Sequence, residues 1–474
     1  MAAPGNAIVV GSGPNGLAAA IVWAQAGGRV TVYEAETEIG GGARTAELTL
    51  PGFRHDVCSA VHPMAVATGF FRTLPLEQHG LEWIHPPLAL AHPFEDGTAA
   101  VLERSGDATA ERLGEDAGPY QRLIAPVVHD WPALEAGFMA APHWPRRPLA
   151  LARFGVHALR PAESLARAIF RTAAGRGLFA GLAAHAIMPL EARGTSAIGM
   201  VLSAAAHRAG WPIARGGSQA VADALAAHLR SLGGEIETGR RIQSLKELPA
   251  TATVFCDVSP RGLLALAGDR FPARDRRKLG RFRPGPGVFK LDYALRGPIP
   301  WTAAECREAG TVHLGGSLEE IAASERASCA AHGAREAERP FVLLCQPSLF
   351  DGTRAPAGQH TAWAYCHVPN GSEQDMSERM EAQIERVAPG FMALVLARSA
   401  RTPAELEAHN ANLNGGDIAG GRNSLGQILL RPGLRPYQTG LRGVYFCSAS
   451  TPPGGGVHGL CGFHAARTAL ADLA

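Results

Sequence analysis

Apolar residues fall into short β-branched runs and helix-spaced repeats near both ends of the chain, with a looser pattern between. Ile8-Val9-Val10 is a run suited to a buried parallel strand. Beyond a glycine-rich turn, Leu17, Ala20, Ile21 and Ala24 recur at helical spacing, and Gly27-Gly28 ends that helix. Residues 29–33, RVTVY, alternate as a second strand, and Glu34 follows at once. From Met64 to Ser203 the pattern predicts mainly helices and loops. α/β character then returns. Ser218 is placed to cap a helix whose apolar side holds Val221, Leu225 and Leu229, Gly233-Gly234 stops it, and residues 235–238 start a strand. TATVFCDVSP (251–260) predicts a buried strand, and GVFKLDYAL (287–295) and FVLLCQPSL (341–349) predict strands of a second, antiparallel or mixed sheet. Residues 377–391 form an amphipathic helix with Met380, Ile384 and Val387 on one face, a pattern that belongs to a core. The chain closes with a strand at 443–447, a glycine-rich turn and a helix from about Val457 to Leu473.

The turn after the first strand reads Gly11-Ser12-Gly13-Pro14-Asn15-Gly16. A chain with 56 glycines in 474 residues holds roughly 0.8 such GxGxxG patterns by chance, and one recurs at Gly454–Gly459. Context separates the two. The first copy lies between a buried strand and a helix, and Glu34 stands 18 residues after Gly16, where a carboxylate accepts from a ribose 2′-OH. The helix start offers N–H groups and a positive dipole end to a pyrophosphate. A carboxylate there repels a 2′-phosphate, so the pattern predicts a dinucleotide without one. The segment around Ser218 lacks spaced glycines and a preceding strand, so it is scaffold.

Composition narrows the class. With 46% hydrophobic and 19% charged residues the chain is an ordinary globular protein of about two domains. Its formal net charge of +2 points to neither nucleic acid nor an anionic membrane. The eight cysteines are scattered without a CxxC and the 18 histidines include no HExxH, so no metal site is expected and the thiols suit a reducing, cytoplasmic setting. The opening MAAPGNAIVV has no basic leader region, and no unbroken apolar run reaches the length of a membrane span.

Three segments together resemble the two-dinucleotide-binding-domain flavoproteins, and most specifically the phytoene dehydrogenase-related desaturases. One is the opening unit with Glu34 and Ala35. The second is EAETEIGGGARTAE, whose Gly41, Gly42, Ala43 and Arg44 look like the segment that lies along an FAD pyrophosphate. The third is GVYFCSASTPPGGGVHGLCGFHAAR, similar to the stretch beneath the flavin. The resemblance implies FAD rather than NAD as cofactor, because the later glycine segments have no role in a simple NAD domain. It implies contacts from Ser448, Gly456, Val457 and His458, and from a strand in RRIQSL that meets adenine through its backbone near Ile242. It also implies an α/β fold: a Rossmann-like, glutathione-reductase-type FAD-binding domain (1–65, 205–268 and 415–474) interrupted by a mixed-sheet and helical substrate-binding domain (66–204 and 269–414). Two departures stand out. Carotene desaturases carry a Phe-Asp-x-Gly-Pro stretch where this chain has His55-Asp56-Val57-Cys58-Ser59. Many relatives place an acid after the last strand where this chain has Ser448-Ala449-Ser450.

The expected activity is FAD-dependent desaturation or oxidation of an apolar or part-apolar small molecule, by hydride transfer to the flavin. A flavin amine oxidase and a non-catalytic flavin-binding protein are the alternatives. His458 is the candidate acid or base nearest the cofactor, set against a plain helix-start role, and no catalytic base is otherwise assigned. His62 and Asp56 are weighed as residues approaching the flavin against a structural role, which is the expected one for each, and Cys58 or His62 as a covalent tether against a non-covalent flavin, which is the expected form. No second dinucleotide pattern is present for a nicotinamide, so reoxidation falls to oxygen or another external acceptor. The oligomeric state is left open.

Overall fold

The computed structural model describes residues 4–145, 147–431 and 435–474; residues 1–3, where the stretch read above for a leader region opens, lie outside the described residues. Two sheets organise the chain. The smaller has five parallel strands in the spatial order Val444–Phe446, Thr253–Cys256, Asn6–Val10, Arg29–Tyr33 and Glu235–Glu237. Its central strand reads as a continuous apolar run because both faces are covered, and Val9 sits between Val32 and Phe255 in register. The helix Pro14–Gln25 is buried along nearly its whole length, packed against the helices Gln219–Ser231 and Leu460–Leu473.

All five strands run the same way, so their carboxyl ends share one edge. The chain leaves that edge at Gly11, Glu34, Asp257 and Ser448, and from Glu237 it runs on to Ile242. Open parallel sheets bind ligands at this edge.

The larger sheet has seven strands, in the order 395–401, 287–295, 360–368, 342–345, 309–314, 88–93 and 99–102. It is mixed: strand 309–314 runs parallel to 88–93, and the other pairs are antiparallel. Two of its strands lie inside the region that the sequence pattern assigned to helices and loops. LALAHP is too short and too uniformly buried to show a strand period, and tertiary pairing decides it. Helices Ala173–Ala184 and Thr195–Ala209 pack on each other, and the former also covers strands 88–93 and 99–102. Among the described residues no helix is long and apolar enough to cross a membrane.

Three local expectations are corrected. The last helix begins at Leu460 rather than Val457, after a turn in which Gly459 takes φ 68°. Residues 239–244 are irregular; the strand ends at Glu237, because Gly239 takes φ 70° and turns the chain. Ser218 stands at the start of its helix but makes no cap, since its hydroxyl is spent on Ser59 and His62.

Candidate functional site

One cavity of about 1580 Å³ runs from the carboxyl edge of the small sheet to the inner face of the large one. Single-ligand pockets span about 300–1,000 Å³, so this space is larger than one small ligand needs.

At one end lies the glycine turn. Gly11, Ser12, Gly13, Pro14 and Asn15 line the cavity, as do Glu34, Ala35, Gly41, Gly42, Arg44, Ile242, Ser448, Gly456, Val457 and His458. Gly16 and Ala43 do not. Gly16 packs the helix against the turn: a Cβ there would meet the Gly11 carbonyl oxygen at 2.1 Å, so no other residue fits. Ala43 is fully buried behind its neighbours.

Glu34 is held in place by its neighbours. Its Oε2 accepts from the Ser12 amide at 2.9 Å and the Ser12 hydroxyl at 2.5 Å, and its Oε1 accepts from the Glu36 amide at 3.0 Å. A carboxylate has about four acceptor positions, so one stays free for a ligand hydroxyl. The glycine segments from different parts of the chain meet here. A Cβ on Gly41 would come within 3.2 Å of the Gly13 Cα, and the Arg44 Nε donates to the Gly41 carbonyl at 3.0 Å, which fixes that turn.

Asp257 was not singled out by sequence reasoning. It follows the third strand of this edge, lines the cavity, and accepts the Gly16 amide at 2.9 Å. One N–H expected to be free for a pyrophosphate is therefore already used. Burial, together with the Glu34 carboxylate, pushes the Asp257 carboxyl up to about 7. Ordinary strand-to-turn sequence surrounds it, so only its position after a predicted strand of the same sheet could have marked it.

The structure places two candidates outside the cavity and gives a third a helix-start contact. His62 and Asp56 do not line the cavity. Asp56 is buried against Arg354 at 2.6 Å and accepts from the Ser218 amide and the Thr45 hydroxyl, and the guanidinium holds its carboxyl below the usual range against the cost of burial. His62 bonds Ser218 through Nε2 at 3.0 Å and packs on Trp83. Both carry structure, and neither reaches the cavity wall. His458 lines the cavity, yet its Nδ1 accepts the Leu460 amide at 3.0 Å and burial drops its pKa to about 4. It is a neutral acceptor that caps the last helix. Cys58 does line the cavity, but burial pushes its thiol up, away from the thiolate that a covalent link requires.

Behind Cys58 sits a buried ionic cluster that the sequence also left unmarked. Lys290 pairs with Asp292, His55 lies 3.6 Å from Asp292, and Lys290 stands 5.5 Å over the Trp363 ring. With Asp56–Arg354 it ties residues 54–56 to the large sheet, so that Cys58 to Val61 stay in the cavity wall.

At its far end the cavity is apolar. Alternate residues of the large sheet face it: Thr311, Leu343, Cys345, Trp363 and Tyr365. Trp363 and Tyr365 meet edge to face at 5.1 Å. His185, half-buried, faces them from the helical layer. Val156 and Leu159 line the same space while largely exposed, so the chamber opens beside the helix Pro148–Ala158.

Known proteins fall in line with this arrangement. The NAD(P)-binding Rossmann-like domain family matches residues 9–74. The chain is 26% identical to mouse "pyridine nucleotide-disulfide oxidoreductase domain-containing protein 2", over 99% of this chain and 94% of that one. A shorter likeness, 29% identical over 25% of each chain, is to a 4,4′-diapolycopen-4-al dehydrogenase of Metabacillus indicus. Among solved structures, an oxidoreductase of Methanosarcina mazei matches with TM-score 0.66 at 13% identity, covering 98% of this chain and 100% of that one. The cyclohexylamine oxidase of Brevibacterium oxydans matches with TM-score 0.60 at 15% identity, covering 99% and 98%. The shared architecture is a Rossmann-like α/β fold found among oxidoreductases.

Proposed function

We propose that this oxidoreductase binds FAD and takes a hydride from an apolar or part-apolar small molecule held in the far chamber. One observation carries the reading: a single cavity joins the dinucleotide edge of the small sheet to an apolar chamber under the large one. The residues fit the cofactor. Glu34 keeps one acceptor position for a ribose hydroxyl, the glycines leave room for a pyrophosphate, and the buried Asn15 Oδ1 has no protein partner among the described residues. Bound there, FAD would supply the two-electron acceptor, and oxygen or another external oxidant would restore it.

The protein's own part is positioning. Glu34 and Ser12 orient the ribose. The Gly454–Val457 segment lines the cavity free of side-chain bulk at three of its four positions, so its backbone would let a flat ring lie close to it. Trp363, Tyr365 and Leu343 exclude water and press the substrate into place. Asp257 holds the start of the first helix. No ionised general base is assigned: His458 is spent on the helix, hydride abstraction itself needs none, and the proton lost after the hydride passes to solvent water where the chamber opens beside the helix Pro148–Ala158.

The amine oxidases among the solved structures of this fold support a second reading, a flavin amine oxidase; Trp363 and Tyr365 touch edge to face and leave no gap between their rings for a substrate. The disulfide chemistry in the name of the mouse relative finds less support. All eight cysteines are free and seven are buried, with no CxxC pair.

The test is the visible spectrum of the purified protein and its anaerobic bleaching. Yellow protein that releases FAD on acid precipitation, and bleaches with a cyclic terpenoid or other part-apolar donor, fits the proposal. Bleaching with cyclohexylamine and matching peroxide release selects the amine reading. Protein that is colourless and cannot be reconstituted with FAD overturns both. A bound flavin that no donor reduces marks a non-catalytic flavin protein.

A further inference from the structure

The helix Ala173–Ala184 presents a row of notches to the large sheet. Gly177, Gly181 and His185 stand one turn apart on one face. His92 fills the first notch and His313 the second: a Cβ on Gly177 would meet His92 Nε2 at 3.0 Å, and one on Gly181 would meet His313 Nδ1 at 2.6 Å. The row ends at His185, whose Nε2 lies 3.1 Å from the Nε2 of His313. His313 is fully buried, whereas His185 reaches the cavity.

These contacts decide where the protons are. Burial, with the other histidines nearby, holds His185 down at about 3 and His313 well below its ordinary value, so both rings are neutral at neutral pH. One hydrogen then lies between the two Nε2 atoms, carried by one ring or the other. Gly181 settles which. The hydrogen on its Cα in the Cβ direction points at His313 Nδ1, which has no polar partner. A proton on that nitrogen would collide with it, and a lone pair there makes a weak C–H···N contact instead. His313 therefore carries its proton on Nε2 and donates to His185. His185, an acceptor at Nε2, must carry its own proton on Nδ1, and no residue of the protein accepts it among the described residues.

We propose that His185 is a substrate-binding residue, locked by His313 as the Nδ1–H tautomer, which donates a hydrogen bond to an oxygen or nitrogen acceptor on the substrate. The substrate class follows: an apolar skeleton bearing a carbonyl- or hydroxyl-type acceptor, and not a plain hydrocarbon. A donor that stays neutral suits an uncharged acceptor and does not repel a cofactor-bound cation or attract a stray anion. This inference rests on the cavity being the substrate chamber of the proposed oxidoreductase. The tautomer itself is independent of any cofactor.

Two measurements test it on the purified full chain. Nitrogen-15 imidazole shifts of histidine-labelled protein, assigned by loss of the signal in His185→Phe, are expected to show a protonated Nδ1 and a bare Nε2 on His185. The signal is expected to stay that way down to about pH 4. A protonated Nε2 on His185 overturns the inference whether or not flavin is present. Binding is then compared by calorimetry for menthone and for p-menthane, which shares its skeleton without the oxygen. In His185→Phe menthone is expected to weaken about tenfold, or about 1.4 kcal/mol, while p-menthane stays within about twofold, the spread of a change that only alters packing. His185→Gln, which keeps a side-chain N–H, is expected to restore most of the menthone affinity. Equal loss for both probes makes His185 a packing residue and overturns the assignment. Protein that cannot be reconstituted with FAD yet still shows the tautomer and the menthone preference would sink the cofactor reading and leave this one standing.

Discussion

Replacing Glu34 by Ala tests the cofactor end of the cavity, and its size can be worked from the contacts. Three of the carboxylate's roughly four acceptor positions are occupied, by the Ser12 amide, the Ser12 hydroxyl and the Glu36 amide. One remains for a ribose hydroxyl. A hydrogen bond to a charged group contributes about 1.5–3 kcal/mol, so the variant should bind FAD roughly 10- to 150-fold more weakly. A second effect should accompany it. Ser12 is fully buried, and losing its partner leaves an amide and a hydroxyl unsatisfied, so the apoprotein should also melt lower. Glu34→Gln separates the two: its amide oxygen still accepts from Ser12, so it should keep most of the stability while losing the charge-assisted part of the affinity. The assay is FAD titration of deflavinated protein followed by flavin fluorescence, beside thermal melts of the same apoprotein. FAD affinity unchanged in Glu34→Ala would refute the assignment of Glu34 to the ribose, whatever happened to the melting temperature.

Asp257→Asn should change the pH dependence of stability. A carboxyl raised from its usual range to about 7 leaves the native state holding more protons than the unfolded chain across that interval, so the wild type loses stability as pH rises from about 4 to 7. The variant lacks this fall, and melting curves of the two proteins at pH 5 and pH 8 should diverge by several degrees; parallel curves would remove Asp257 from the argument. His458→Ala should cost about 1 kcal/mol through loss of the acceptor for the Leu460 amide, without adding or removing a limb of the kcat profile between pH 6 and 9, because its pKa lies near 4. A lost limb would return His458 to the chemistry. Asp56→Ala leaves Arg354 buried without its partner and should destabilise by about 3–5 kcal/mol, read as insoluble or flavin-free protein; a well-folded variant would contradict the scaffold role. Gly16→Ala should give protein that cannot be reconstituted with FAD, since its Cβ meets the Gly11 carbonyl, and normal reconstitution would refute that packing.

Much of the dinucleotide end was legible in the residues because its determinants are local. A strand, a spaced-glycine turn, a helix and a strand ending in Glu34 occupy fewer than thirty consecutive positions, and backbone sterics and periodicity act over that range. The later glycine segments were legible for the same reason, since a backbone that must pass close to a ligand or another chain segment excludes side chains wherever it lies. Strand 88–93 was missed because a fully buried strand loses its period of two and looks like any apolar stretch. The roles of single side chains were harder still. For Asp56 and His62 the sequence favours a structural role without naming the partners, and only the contacts with Arg354 and Ser218, 298 and 156 residues away, show what holds them. Asp257 reaches Gly16 across 241 residues, and His185 meets His313 across 128.

The sequence alone therefore determined which segments form the nucleotide edge and which residue types line it. Which titratable groups stay free for chemistry, and in what protonation state, was decided by the tertiary structure. A proton's position depends on burial and on partners within about 3 Å, and those are set by packing between elements that share no local pattern.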